Sequence, residues 1–261
     1  MDMFGQLIRQ IDLFLLVLGR VIGVFVIAPV FGGQRIPGAV RLGFTVMVAG
    51  LVTMVFPVKV SIPRDMIYYT LGLITEFLIG FMIGFAMYLV FVAVQVAGQL
   101  IDMQMGFSIV NVLDPQSGVQ IPLIGNFQYL MALLILLSLN GHHLILAALV
   151  KSYDFIPLLG GHLVGPVTET LLRMFSGLFV TAIKIAAPVV GSLLVTDVAL
   201  GIIARTVPQM NVFIVGMPAK IAIGLVILIL ILSLYVWLLG VLFDRMFHDV
   251  DILLRLLGGR G

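Results

Sequence analysis

The chain has 261 residues, of which 62% are hydrophobic and 10% charged, with a formal net charge of +2 and a mean hydropathy of +1.25. Soluble domains carry about 25% charged residues, so this composition belongs to the membrane class, and so small a net charge gives nucleic acid no footing. Cysteine is absent, which excludes disulfides and thiolate metal sites, and His142, His143, His162 and His248 lack the spacing of a metal site.

The chain starts MDMFGQLIRQID, with Asp2 and Asp12 beside a single Arg9 and no small-residue cleavage site soon after. That argues against a removable signal peptide. A spanning helix needs roughly 20 mostly apolar residues. Leu13 to Val30 is the first candidate, interrupted by Arg20, and the turn-rich FGGQRIPG follows. Leu42 to Phe56 is short for a span, and Pro57 to Asp65 reads as a loop. Met66 to Leu100 is too long for one simple crossing, so it is either a helix that leaves the bilayer or a bent one.

The next segment, Gly106 to Pro122, reads GFSIVNVLDPQSGVQIP and carries one charge, Asp114, among prolines, glycines, amides and serines. It has too little charge for a typical water-facing loop. Lipid cannot satisfy its backbone polar groups, so at membrane depth it has to be buried in protein or line a cavity. Beyond it, Leu123 to Leu139 and His142 to Val150 flank an Asn140-Gly141 turn and read as a stunted helical hairpin. Val167 to Arg205 is a long helical stretch with Pro188 as an expected kink. Thr206 to Pro218 reads as a second polar interruption, and Ile221 to Phe243 as an uncharged, uninterrupted span. Asp244 to Gly261 alternates charge with leucine, as expected of an amphipathic helix at the interface, and Arg245, Arg255 and Arg260 place this end on the cytoplasmic side.

Several residues do not suit lipid. Gly72, Glu76, Gly80, Gly84 and Tyr88 recur every four residues on one slowly drifting stripe. Glycines there let another helix approach closely. The stripe is therefore either packing within the chain, a face for a different subunit, or the setting of a proton-relay carboxylate. Gln95, Gln99, Asp102 and Gln104 make the end of the same helix polar, which fits a helix leaving the membrane or one facing polar protein. Lys184, Asp197, Arg205 and Lys220, like Arg20 and Arg41, lie in apolar sequence and need a partner or a cavity. Asp197 and Arg205 are two turns apart, too far for an i, i+4 bridge, so each is expected to meet another helix. No nucleophile elbow or phosphate loop is present, and no enzyme activity is expected.

Taken in order, RVIGVFVIAPVFGGQRIPGAVR, EFLIGFMIGF, GQLIDMQMGFSIVNVLDPQSG, LSLNGHH and DVALGIIARTVPQMNVFIVGMPAKI resemble the FliR family, the flagellar biosynthetic proteins of the type III export gate. The similarity covers essentially the whole chain, and the DPQSG form of the central loop looks flagellar rather than injectisome-like. The resemblance implies an all-α integral membrane protein of helical hairpins with interrupted helices. Residues 1–166 would be a FliP-like portion and 167–261 a FliQ-like hairpin with its tail. It implies a subunit that assembles with FliP-like and FliQ-like subunits, associates with FlhB-like and FlhA-like components, and forms and closes a channel for flagellar proteins. The location implied is the basal body in the bacterial inner membrane, and no cofactor or metal is implied.

By the same resemblance the channel plug is Gly106, Phe107, Ser108, Ile109, Val110, Asn111, Val112, Leu113, Asp114, Pro115, Gln116, Ser117 and Gly118. Subunit packing is expected of Gly72, Glu76, Gly80, Gly84, Asp197 and Arg205. A low-charge, amide-rich loop suits a plug because it fills a pore without salt bridges that would hold it there. The alternative is a secondary transporter of a small solute or ion, for which broken helices and intramembrane charges would also serve.

Overall fold

The structure is a computed structural model and describes residues 3–33, 36–55, 63, 65–107, 122–161, 165–209 and 211–259. The described residues form eight α-helices and no strand: α1 (Met3–Ile27), α2 (Gly38–Val55), α3 (Met66–Met105), α4 (Leu123–Ser138), α5 (Gly141–Phe155), α6 (Gly165–Thr206), α7 (Val212–Leu230) and α8 (Leu232–Leu257). The protein is thus all-α. By length and apolarity, four helices qualify as membrane spans, or up to six if the bent pairs α4 with α5 and α7 with α8 each count as one.

The long apolar stretch from Met66 is one helix of 40 residues. Pro188 is accommodated inside α6. Asn140 takes the left-handed conformation, φ 57°, between α4 and α5, which asparagine tolerates better than most residues.

Three expectations need correction. The polar interruption over Thr206–Pro218 is confined to 207–211, because α7 already starts at Val212 and contains Pro218. Asn211 explains the early start: its side-chain Oδ1 accepts from the Ile214 N–H at 3.4 Å, as a helix N-cap does. The uncharged run Ile221 to Phe243 is not one helix but breaks at Ile231. Neither proline nor glycine stands there. Beyond the break, Tyr235 Oη donates to the Gln128 carbonyl at 3.3 Å and Phe243 is stacked 5.6 Å from Phe91. Lastly, the tail continues α8, and its apolar residues Met246, Val250, Leu253, Leu254 and Leu257 are buried in protein rather than laid on a membrane surface.

The chain packs as two compact units, Met1–Leu89 with Leu137–Met174 and Asp244–Gly261, and Val90–Leu136 with Phe175–Phe243. In the first, α1 lies against the N-terminal half of α3. Leu16, Val17, Val21 and Val24 of α1 and Ile79, Ile83 and Met87 of α3 are buried. The glycine stripe makes this possible. A Cβ on Gly80 would collide with the Arg20 carbonyl, one on Gly84 would come within 2.8 Å of the Val24 carbonyl, and one on Gly23 would strike α3 at the Phe77 carbonyl. The two backbones therefore touch. The Phe25, Phe31 and Phe44 rings stack at 4.6 to 5.6 Å beside this contact. The core of the second unit is built from Phe91, Ala97, Ile101 and Met105 of α3 with Ala132 and Leu136 of α4, Leu193 of α6 and Leu239 of α8.

These contacts separate two glycine substitutions by sign. Gly80→Ala forces α1 away from α3 and should destabilise by about 1–3 kcal/mol, the range for overpacking. Gly50→Ala meets nothing within 4 Å and should stabilise α2 by up to about 1 kcal/mol. Thermal unfolding of the detergent-solubilised protein reads both, and equal midpoints for the two variants would contradict the backbone contact.

Candidate functional site

The polar segment that begins at Gly106 is held at its two ends by one residue, Asp102. Helix α3 stops in a glycine-terminated cap. Gly106 sits at φ 93°, its N–H donates to the Met103 carbonyl at 3.2 Å, and the Phe107 N–H reaches back to the Asp102 carbonyl at 3.1 Å. This pair of bonds satisfies carbonyls that a helix end would otherwise leave free. The side chain of the same Asp102 turns to the start of α4. Its Oδ1 accepts from the Ile124 N–H at 2.9 Å and its Oδ2 from the Gly125 N–H at 3.0 Å. A carboxylate at a helix N-terminus satisfies orphan donors and meets the positive end of the dipole. Asp102 is only 5% exposed, so these bonds are shielded from water.

The α3–α4 contact is tight for the same reason as the α1–α3 contact. A Cβ on Gly98 would collide with Gly125, and one on Gly125 would come within 3.2 Å of the Gln95 carbonyl. Close by in this unit, Gln104 Nε2 donates to Asp197 Oδ2 at 2.9 Å, and Asp197 forms an ion pair with Lys220. A short polar chain thus links α3, α6 and α7. Gln99 is exposed.

In the other unit, Glu76 and Arg20 are both fully buried and joined at 2.6 Å. Glu76 Oε1 also accepts from the Leu159 N–H at 2.8 Å. Leu159 holds a left-handed φ of 63° and lays its side chain where a Cβ on Gly72 would stand. Arg20 Nη1 donates to the Ser152 carbonyl and hydroxyl, both at 3.1 Å, and to the Ile156 carbonyl at 3.0 Å. Its guanidinium lies 4.3 Å from the Tyr153 ring centroid, a cation–π contact.

The expected site residues therefore fall into three groups. Of the plug, Gly106 and Phe107 belong to the helix cap, while Ser108, Ile109, Val110, Asn111, Val112, Leu113, Asp114, Pro115, Gln116, Ser117 and Gly118 lie outside the described residues. Gly72, Glu76, Gly80 and Gly84 meet other parts of their own chain. Asp197 is bonded to Gln104 and Lys220, and Arg205 stands exposed in the last turn of α6. Sequence reasoning missed the pairing of Arg20 with Glu76, the double role of Asp102 and the Gly98–Gly125 contact. The first and third join residues far apart in sequence, where helical periodicity is silent. For Asp102 a signal was available, a carboxylate in the last turn of a helix, where the dipole does not favour one. No group of acidic and histidine residues that could hold a metal occurs among the described residues.

Residues 11–246 match the family described as Bacterial export proteins, family 1. The chain is 41% identical over 260 residues to the Flagellar biosynthetic protein FliR of Bacillus subtilis, covering 97% of this chain and 99% of that one. The protein of the same name from Aquifex aeolicus is 33% identical over 82% of this chain and 83% of its own length. That of Escherichia coli is 28% identical over 93% of each.

A pair of variants tests each of the two clusters. Glu76→Ala leaves Arg20 buried without its counter-ion and should cost about 3–5 kcal/mol, whereas replacing both residues by methionine should recover most of that loss. Asp102→Ala strips two buried N–H groups of their acceptor, at about 1–3 kcal/mol each, and Asp102→Asn, which keeps one acceptor oxygen, should lose less. Denaturation midpoints in detergent check both orders; Asp102→Asn falling below Asp102→Ala would refute the anchoring role.

Proposed function

The chain belongs to family 1 of the bacterial export proteins, the FliR family, and on that footing we propose that it is a non-enzymatic subunit of the flagellar type III protein export gate. It assembles with FliP-like and FliQ-like subunits, its residues 1–166 being the FliP-like portion and 167–261 the FliQ-like one. It works beside FlhB-like and FlhA-like components in the basal body of the bacterial inner membrane, where the assembly forms and closes the channel for flagellar proteins. The observation that carries this reading is the match over nearly the whole chain to relatives named for flagellar biosynthesis. The segment from Gly106 to Gly118 serves as the plug. Its single charge leaves it free of strong attachments along its length, and its mounting at Asp102 keeps its ends in place. The glycine stripe, Glu76 and Asp197 are spent inside the chain, which leaves Arg205 as the polar group of the expected set that another subunit can meet. The transporter alternative loses one of its supports, since Asp197 and Lys220 satisfy each other.

Co-expression with FliP-like and FliQ-like subunits should yield one stable complex containing this chain. Purification instead as a monodisperse monomer that binds a small solute would favour the transporter. Deleting Ser108 to Ser117 from the assembled complex should make membranes leak ions and small molecules. Unchanged permeability with assembly intact would remove the plug from the proposal.

A further inference from the structure

The charges of α6 are unevenly matched. Glu169 pairs with Arg173, and Asp197 with Lys220. Lys184 and Arg205 have no ion pair or hydrogen bond among the described residues, and both are exposed. Lys184 lies near the middle of a 42-residue helix that qualifies as a membrane span. At 1.5 Å per residue it is roughly 28 Å from the N-terminal end of α6 and roughly 33 Å from the other. Val180 and Ile183 beside it are exposed as well. A single ammonium in that setting is costly against hydrocarbon and needs a counter-charge.

The face around it is shaped for another helix. Gly177, Lys184, Gly191, Val198 and Arg205 recur every seven residues, a stripe that drifts only about 20° per repeat. A Cβ built on Gly177 or Gly191 meets nothing within 4 Å, so the backbone on either side of Lys184 is open to close approach. Arg205 stands on the same stripe about 32 Å along the axis. A second copy of the chain is a poor occupant. The one carboxylate of α6 beyond Glu169, Asp197, is already held by Gln104 and Lys220, so like faces would set cation against cation.

We propose that this face of α6 seats an apolar helix of a different subunit, one that carries a carboxylate opposite Lys184 to close an intramembrane ion pair. The proposal rests on the reading of the chain as an assembly subunit and adds where, and by what chemistry, one partner docks. The test uses the full-length chain co-expressed with FliP-like and FliQ-like subunits in bacterial membranes. Lys184→Arg keeps the charge and should retain the complex. Lys184→Met and Lys184→Glu should each lower its recovery by about tenfold or more, as when one member of a desolvated pair is lost. A photo-crosslinking residue at position 184 should capture a partner peptide with an aspartate or glutamate inside an apolar stretch, and changing that acid to lysine should restore recovery of Lys184→Glu. Recovery of Lys184→Met equal to wild type, or crosslinks to lipid or to a second copy of this chain alone, would overturn the docking proposal while leaving the subunit reading intact. Failure of the unaltered chain to co-purify would overturn the subunit reading itself.

Discussion

The buried pair of Arg20 and Glu76 is the constraint on which the first compact unit depends. Moving two charges out of water costs several kcal/mol per ion. Here the cost is offset by good geometry: Glu76 accepts from Arg20 and from the Leu159 backbone, and Arg20 donates three further bonds to Ser152 and Ile156 while lying over Tyr153. Those bonds come from α1, α3, α5 and the turn after it. Each needs the others in register, so the pair specifies one arrangement where apolar packing alone would accept several. Glycines at 23, 80 and 84 are the other half of the arrangement, since only side chains without a Cβ let the α1 and α3 backbones come close enough.

The second unit repeats this principle with different chemistry. Gly98 and Gly125 bring α3 and α4 together, and a carboxylate again supplies the polar fixing, this time to backbone N–H groups rather than to a guanidinium. Both units thus combine backbone contact with a buried acid that satisfies donors from a neighbouring element. The flanks of the polar segment are in this way more firmly determined than its own composition would suggest.

Much of this was legible in the sequence. The apolar runs gave the helices, and the four-residue repeat of glycines with Glu76 gave a close-packed face. The polar end of α3 pointed to the segment that follows. What local pattern could not supply was the identity of partners. Arg20 and Glu76 were each recognisable as unsuited to lipid, but nothing in a 3.6-residue period links positions 56 apart. The break at Ile231 was invisible for a related reason: it stands in a uniformly apolar run, and the contacts of Tyr235 and Phe243 accompany it, not a helix-breaking residue. The early start of α7 was missed because prolines at 208 and 218 outweighed Asn211, whose capping role is clear only once the helix is seen to begin beside it. The tail was misjudged because an amphipathic face has the same pattern whether lipid or protein covers it.

The double hold of Asp102 has a mechanical consequence. Phe107 and Ile124 are fastened to the same residue, and 16 residues lie between them. Whatever course that length takes, it is a closed bight and not a free arm. At about 3.4 Å per residue its furthest point can stand no more than roughly 27 Å from its root. A pull on it in any direction is delivered to one carboxylate and one carbonyl, at the place where two helices touch backbone to backbone.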